Sequence, residues 1–236
     1  MKKGFWFLLP VFLITGCKTS PEENKEFYAE GYVEVYPDSK GYGYVEIRSP
    51  DGFDMVPEIY INDTLLILFE WDGYEGKYEN FLTVSPGDSV ILKGEAGEEE
   101  FFSRICVPDE FSFTSPSSPC TLSPGDDLSL VWKKSMHAVI YQVDVYIFYT
   151  YGTGDTIMSL EIDTTYMVED TFLFISGSRL FPVTMDTLYS GFGNVEIFSI
   201  GGAPVIPGME ENIEGGAHGY FWSMFVPSQG LEIVIE

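Results

Sequence analysis

A chain of 236 residues with 37 acidic and 12 basic side chains carries a formal charge of −25 at pH 7. That imbalance excludes nucleic acid as a partner, because phosphate binding requires clustered Lys and Arg, and it points instead to solubility, divalent cations or a basic partner. Apolar residues at 45% and aromatics at 16% lie far from a disordered composition, and the length suits two domains of ordinary size.

At the N-terminus, Lys2 and Lys3 precede an apolar run, residues 5–14, of the length of a signal-peptide core and too short to span a bilayer. Small residues Thr15 and Gly16 stand before Cys17. The run Leu13-Ile14-Thr15-Gly16-Cys17 resembles the lipobox of bacterial lipoproteins. The resemblance implies removal of residues 1–16 as a signal peptide, a diacylglyceryl thioether on Cys17 and acylation of the new amine, which together anchor the chain to a membrane through more than one acyl chain. Lys18 stands where Asp is associated with inner-membrane retention in lipoprotein sorting, so the resemblance favours the outer membrane, facing the periplasm or the cell surface. Residues 17–26, polar and without periodicity, read as the lipidated tether.

From residue 27 the pattern is that of strands: alternating or continuous apolar runs separated by Gly, Pro, Asp and Asn, with almost no helix signal. Strands are expected at 28–36, 42–48, 57–61, 64–71, 78–84, 89–92 and 101–107. Tyr32, Glu34 and Tyr36 share one face of the first, and Tyr44, Glu46 and Arg48 one face of the second. The unbroken run 65–69, LLILF, reads as a strand buried on both faces. Seven strands in about eighty residues fit an immunoglobulin-like β-sandwich over residues 27–108. A Pro- and Ser-rich stretch, 108–125, holds the boundary, placed near Asp109, with Phe111 and Phe113 opening the next unit; a linker of this stiffness holds the two units end to end.

In residues 109–236, strands are expected at 128–132, 138–151, 156–162, 166–168, 171–175, 194–200, 219–226 and 231–235. Val143, Val145 and Ile147 fall on one face of the long run, and Tyr146 and Phe148 on the other. The stretches PGDDLSLVWKKS and AVIYQVDVYIF resemble strands B and C of a fibronectin type III or related immunoglobulin-like domain, in which a Trp on strand B packs under a Tyr-bearing strand C. Trp132 and Tyr141 are the matching residues. The chain is thus expected to be all-β, with two immunoglobulin-like or fibronectin III-like β-sandwich domains. The nearly identical tetrads SPGD at 85–88 and 123–126 mark turns rather than a repeat, since Pro presets φ and Gly supplies φ > 0.

Signals of catalysis are sparse. His137 and His218 have no His or Cys at metal-ligand spacing, no nucleophile elbow or Gly-rich phosphate loop occurs, and no cofactor or metal site is expected. Among the acids, the pair Asp51 and Asp54, the pair Asp126 and Asp127, the run 98–100, and Glu210, Glu211 and Glu214 are loop-tip clusters without calcium-loop spacing; a hydrolase with two carboxylates flanking a groove stays open as the lesser reading. With Cys17 lipidated, Cys106 and Cys120 either pair in a disulfide or stand as separate thiols, the prolines between them favouring separation. Trp71 and Tyr74 at the Asp72-Gly73 turn, and Tyr220 and Trp222 near the C-terminus, are either sheet cover or a platform for sugars or peptides. The expected function is a lipid-anchored cell-envelope binding, adhesion or assembly module, not an enzyme, meeting an envelope protein or a glycan; the alternative is a carbohydrate or ligand receptor using those aromatics.

Overall fold

A computed structural model describes residues 27–227 and 230–236; Cys17 and the rest of the lipobox-like run lie outside the described residues. The described chain is nearly all β-strand, as its alternation requires. Its first part supplies β1 (Phe27–Val35), β2 (Lys40–Arg48), β3 (Glu58–Ile61), β4 (Thr64–Leu65), β5 (Ile67–Trp71), β6 (Glu75–Thr83), β7 (Ser89–Ala96) and β8 (Glu99–Cys106). There follow β9 (Phe113–Ser115), β10 (Cys120–Leu122), β11 (Leu128–Trp132), β12 (Ile140–Thr153), β13 (Thr156–Val168), β14 (Phe172–Ile175), the single turn α1 (Gly177–Leu180) and β15 (Thr187–Gly202). The chain ends with β16 (Glu214–Gly215), β17 (Ala217–Phe225) and β18 (Leu231–Ile235).

These strands build two sandwiches that are not consecutive pieces of chain. In one, the strand order β17-β1-β2-β6-β5 faces β16-β8-β7-β3-β4. Ala29, Val33, Val45 and Ile47 from the first layer meet Ile59, Ile61, Val90 and Leu92 from the second, and Ile213, Ala217 and Phe221 complete the core. Residues 213–225, expected in the second unit, therefore belong to the first core. In the other, β14-β11-β9 faces β13-β12-β15-β18-β10. This arrangement is compatible with an immunoglobulin-like sandwich. Trp132 on β11 meets Tyr141 on β12 edge-on, with ring centroids 5.4 Å apart, and the Tyr141 hydroxyl accepts a hydrogen bond from the Ser135 amide at 2.8 Å.

The segment between β15 and β18 leaves the second sandwich, lays β17 parallel to β1 from Phe27↔Ala217 to Val35↔Phe225, and returns. The far end of β15 also pairs with β17, Ser199↔Phe225 through Gly202↔Trp222, so one sheet runs continuously through both units. Side chains seal the junction. Phe111 stands edge-on to both Tyr141 and Phe225, at 5.9 and 6.1 Å, and the Ser135 and Ser223 hydroxyls donate to the carbonyls of Asp109 and Cys106.

The run LLILF departs from its expected burial on both faces. Thr64–Leu65 pairs with β3 in one sheet and Ile67–Trp71 with β6 in the other, so the chain changes sheets at Leu66. Only Leu66 is buried, while Leu65, Ile67 and Phe69 are 50%, 63% and 51% exposed. A sheet-crossing corner is apolar for a different reason from a central strand: Leu66 plugs the gap between layers and Leu68, opposite Tyr78, packs against the core, while the residues between and beyond them face out.

Docking of β17 requires two close fits. Gly219 lies opposite Ala29 at φ +134, and a Cβ there would stand 1.9 Å from the Ala29 carbonyl oxygen. Phe221, fully buried, fills the core beside Gly31, where a Cβ would meet the Val45 side chain at 2.8 Å. Phe221→Ala is expected to cost about 3–5 kcal/mol of unfolding free energy by leaving a cavity, and Gly219→Ala to destabilise by forcing β17 off β1. Urea titration of purified variants measures both, and a cost for Phe221→Ala below about 1 kcal/mol contradicts the assignment of β17 to this core.

Candidate binding face

The alternation that buries Ala29, Val33, Val45 and Ile47 turns Tyr28, Glu30, Tyr32, Glu34, Tyr42, Tyr44, Glu46 and Arg48 to the outer face of the sheet β17-β1-β2-β6-β5. Register then lines these residues into rows across the strands. One row runs Trp222, Tyr32, Tyr44, Glu79 and Ile67, and the next runs Met224, Glu34, Tyr42 and Phe81. Ring centroids follow at 5.5 Å from Trp222 to Tyr32, 5.4 Å from Tyr32 to Tyr44, and 6.3 Å from Tyr44 to Phe69. A branch leads from Tyr32 to Tyr42 at 6.5 Å and on to Phe81 at 6.1 Å. Cross-strand aromatic neighbours of this kind stabilise a sheet, but Phe81 is 82% exposed, far beyond what sheet cover requires.

Carboxylates hold the tyrosines in place. Tyr28 donates to Glu30 at 2.9 Å, Tyr36 to Glu34 at 2.9 Å, Tyr44 to Glu46 at 3.2 Å, and Tyr42 to Glu79 across the strand pair. Burial, then the nearby carboxylate, pushes the Tyr28 and Tyr44 hydroxyls up to about 12. Tyr42 is raised further by burial, its bond to Glu79 and that charge, and Tyr32 is raised by burial, then by the charges of Glu34 and Glu79.

The two ends of the face differ in charge. At one end Arg48 pairs with Glu46 and with Glu75 at 3.3 Å, and Lys77 with Glu70 at 3.0 Å and Glu75 at 3.2 Å. At the other, around Tyr32, Tyr42 and Phe81, neither Glu34 nor Glu79 forms an ion pair among the described residues. A hollow of about 680 Å³ adjoins this end, lined by Tyr36, Pro37, Gly41, Tyr42, Phe81 and the exposed pair Asp38 and Lys40.

The aromatics singled out from sequence divide between this face and elsewhere. Trp222 heads a row, and Tyr220 lies on the same strand face opposite Glu30. Trp71 does not join them. The register of β5 shifts between Leu68 and Glu70, so Phe69 is an extra, unpaired residue, and such a bulge reverses the side of every residue after it. Trp71 consequently falls opposite Gly76, whose absent side chain leaves room for the indole, and packs 5.5 Å from Phe53, itself stacked on Phe27. Tyr74 is an exposed turn residue beside Gly52. Sequence reasoning missed Tyr42, Phe69 and Phe81 as members of a surface. The Tyr and Glu alternation of 28–36 and 42–48 was its visible signal, but the neighbours of those strands were not visible.

Other candidate groups are placed as follows. Cys106 ends β8 in one sandwich and Cys120 opens β10 in the other, and both are free thiols. Asp51, Asp54, Glu98 and Glu99 line one hollow of about 720 Å³ at the end of the first sandwich. Among the described residues no group of three or more His, Cys, Asp and Glu is placed to hold a metal ion. His218, on β17, has its Nδ1 3.1 Å from Glu211 of the preceding loop and its ring edge-on to Tyr28. Tyr146 and Phe148 point away from the core, as their alternation predicts, and meet Phe192 at 6.0 and 5.6 Å. No protein-family model matches the chain, and no curated protein matches it.

A pH dependence follows from the raised tyrosines. A free phenol titrates near 10, so between about 10 and 12 the unfolded chain has lost protons that folded Tyr28 and Tyr44 retain. Stability from this source is complete below pH 10 and is lost as pH rises through about 12. Tyrosinate absorbance during alkaline titration should show a late-ionising class. Glu79→Gln, which keeps an acceptor but removes the charge, is expected to bring Tyr42 ionisation to lower pH; no change contradicts the Glu79 contact.

Proposed function

We propose that the protein is a lipid-anchored component of the cell envelope that acts as a non-catalytic binding, adhesion or assembly module. The observation that carries the binding part is the outer face of the first sandwich, where exposed Phe81 and Phe69 extend a run of rings through Tyr44, Tyr42 and Tyr32 to Trp222. An exposed aromatic area of this extent marks an interaction site more often than an idle surface. The anchoring part rests on the lipobox-like residues 13–17 and the polar tether that follows: acyl chains on Cys17 enter the leaflet of the outer membrane, and the tether clears the surface.

The second sandwich is read as fibronectin III-like. Taking β9, β11 and β14 as A, B and E, and β12, β13, β15 and β18 as C, C′, F and G, reproduces that order, with the first sandwich's strands β16 and β17 inserted between F and G. In this role it is the support that holds β17, and hence Trp222, in register. A carbohydrate receptor is the second reading, favoured by the position of Trp222 at the head of the ring row.

Expression with labelled palmitate and detergent phase partition tests the anchor. The wild-type protein is expected to take the label and enter the detergent phase, and Cys17→Ser to remain unlabelled and aqueous. An unlabelled, aqueous wild-type protein sinks the lipoprotein reading. For the receptor reading, Trp222→Ala that leaves binding to every glycan tested unchanged removes it.

A further inference from the structure

We infer that the Tyr32, Tyr42 and Phe81 end of the outer face binds a cationic polypeptide segment, through Lys or Arg side chains that lie on the rings and pair with Glu34 and Glu79. This deepens the binding reading above and rests on it.

Three observations converge. First, the hydroxyls of Tyr36, Tyr42 and Tyr44 are already donated to carboxylates, so they offer a ligand only lone pairs. Together with the carboxylate oxygens and the ring faces, this end is dominated by acceptors, and it matches a group rich in N–H donors. Ammonium and guanidinium groups supply those donors and are attracted to the faces of aromatic rings. Second, the face already contains a built example of this chemistry at its other end, where the Arg48 guanidinium lies 5.8 Å from the centroid of Tyr28 and pairs with Glu46 and Glu75. The Tyr32 end repeats the rings and the acids without the cation. Third, the charges facing Tyr32 and Tyr42 are Glu34 and Glu79; of the bases, Lys40 at the rim of the hollow is paired with Asp38 and Lys77 with Glu70 and Glu75. An anionic glycan or phosphate would be repelled here, and a neutral sugar would leave two carboxylates unneutralised. The exposed Phe81 ring and the hollow beside it give the aliphatic stem of a Lys or Arg an apolar surface to cover.

The test titrates the full chain, purified in detergent, with an octa-arginine peptide, an octa-glutamate peptide and neutral hexasaccharides, read by calorimetry and by tryptophan fluorescence. Octa-arginine is expected to bind, more weakly at high salt, with at least a tenfold loss in Glu34→Gln/Glu79→Gln and a similar loss in Phe81→Ala, whose side chain is too exposed for its removal to unfold the protein. A matched control, Glu169→Gln/Asp170→Asn, removes the same charge from an exposed loop of the second sandwich and is expected to change affinity less than twofold. Equal losses in both double variants mean that the peptide reads overall charge, and overturn the inference. Binding of a neutral hexasaccharide that is lost in Phe81→Ala, with no binding of octa-arginine, overturns it while leaving the binding reading intact. If no probe binds, and a photo-crosslinker at position 81 captures nothing in intact envelopes, both fall.

Discussion

The structure depends on one strand pairing, the parallel ladder between β1 and β17. Parallel neighbours need a crossover connection, and here the crossover is the entire remainder of the first sandwich plus most of the second. Phe27 pairs with Ala217 and Val35 with Phe225, and on its other side β17 is held by the end of β15. The pairing is permitted by the absence of a side chain at Gly219 and driven by burial of Ala217 and Phe221. Without it the first sandwich would expose the edge of β1 and the flank of its core, and the second would carry a long unstructured insertion between β15 and β18. Contacts this distant in sequence make for slow folding, and they also remove the freedom of two sandwiches joined by a single linker.

The same strand builds the surface. Trp222 enters the ring row only because β17 lies in register beside β1, so the aromatic face is a product of the long-range pairing rather than of any local motif. The carboxylates interleaved with the tyrosines have two effects. They fix the rings by accepting hydroxyl protons, and they set the charge of the face, balanced by Arg48 and Lys77 at one end and unbalanced around Tyr32 and Tyr42 at the other. The bulge at Phe69 sharpens the division. By reversing the strand's parity after Phe69 it puts Glu70 on the outer face and sends Trp71 to cover the core's end.

Much of the fold was legible because a period of two is a direct imprint of burial. The inward and outward residues of 28–36, 42–48 and 138–151 were readable from alternation alone, and the contact of Trp132 with Tyr141 follows from residues close in sequence. What local pattern does not encode is which strand neighbours which. Residues 219–226 read correctly as a strand, yet nothing in them says that their partner is at the far end of the chain. The run 65–69 shows the related failure: an apolar string looks the same whether it is a central strand or a corner between sheets. For the face, Trp222 was visible as an isolated aromatic, whereas Phe81 looked like one more strand residue, because exposure depends on what the neighbouring strands leave uncovered.

If β17 couples the sandwiches as described, they must lose structure together. Urea unfolding of the unsubstituted protein, followed by hydrogen exchange at the backbone amides of Trp132 and Trp222, reports separately on the second core and on β17. The account predicts one transition with coincident midpoints for the two probes. Two transitions, with the Trp222 amide exchanging while that of Trp132 remains protected, would contradict it.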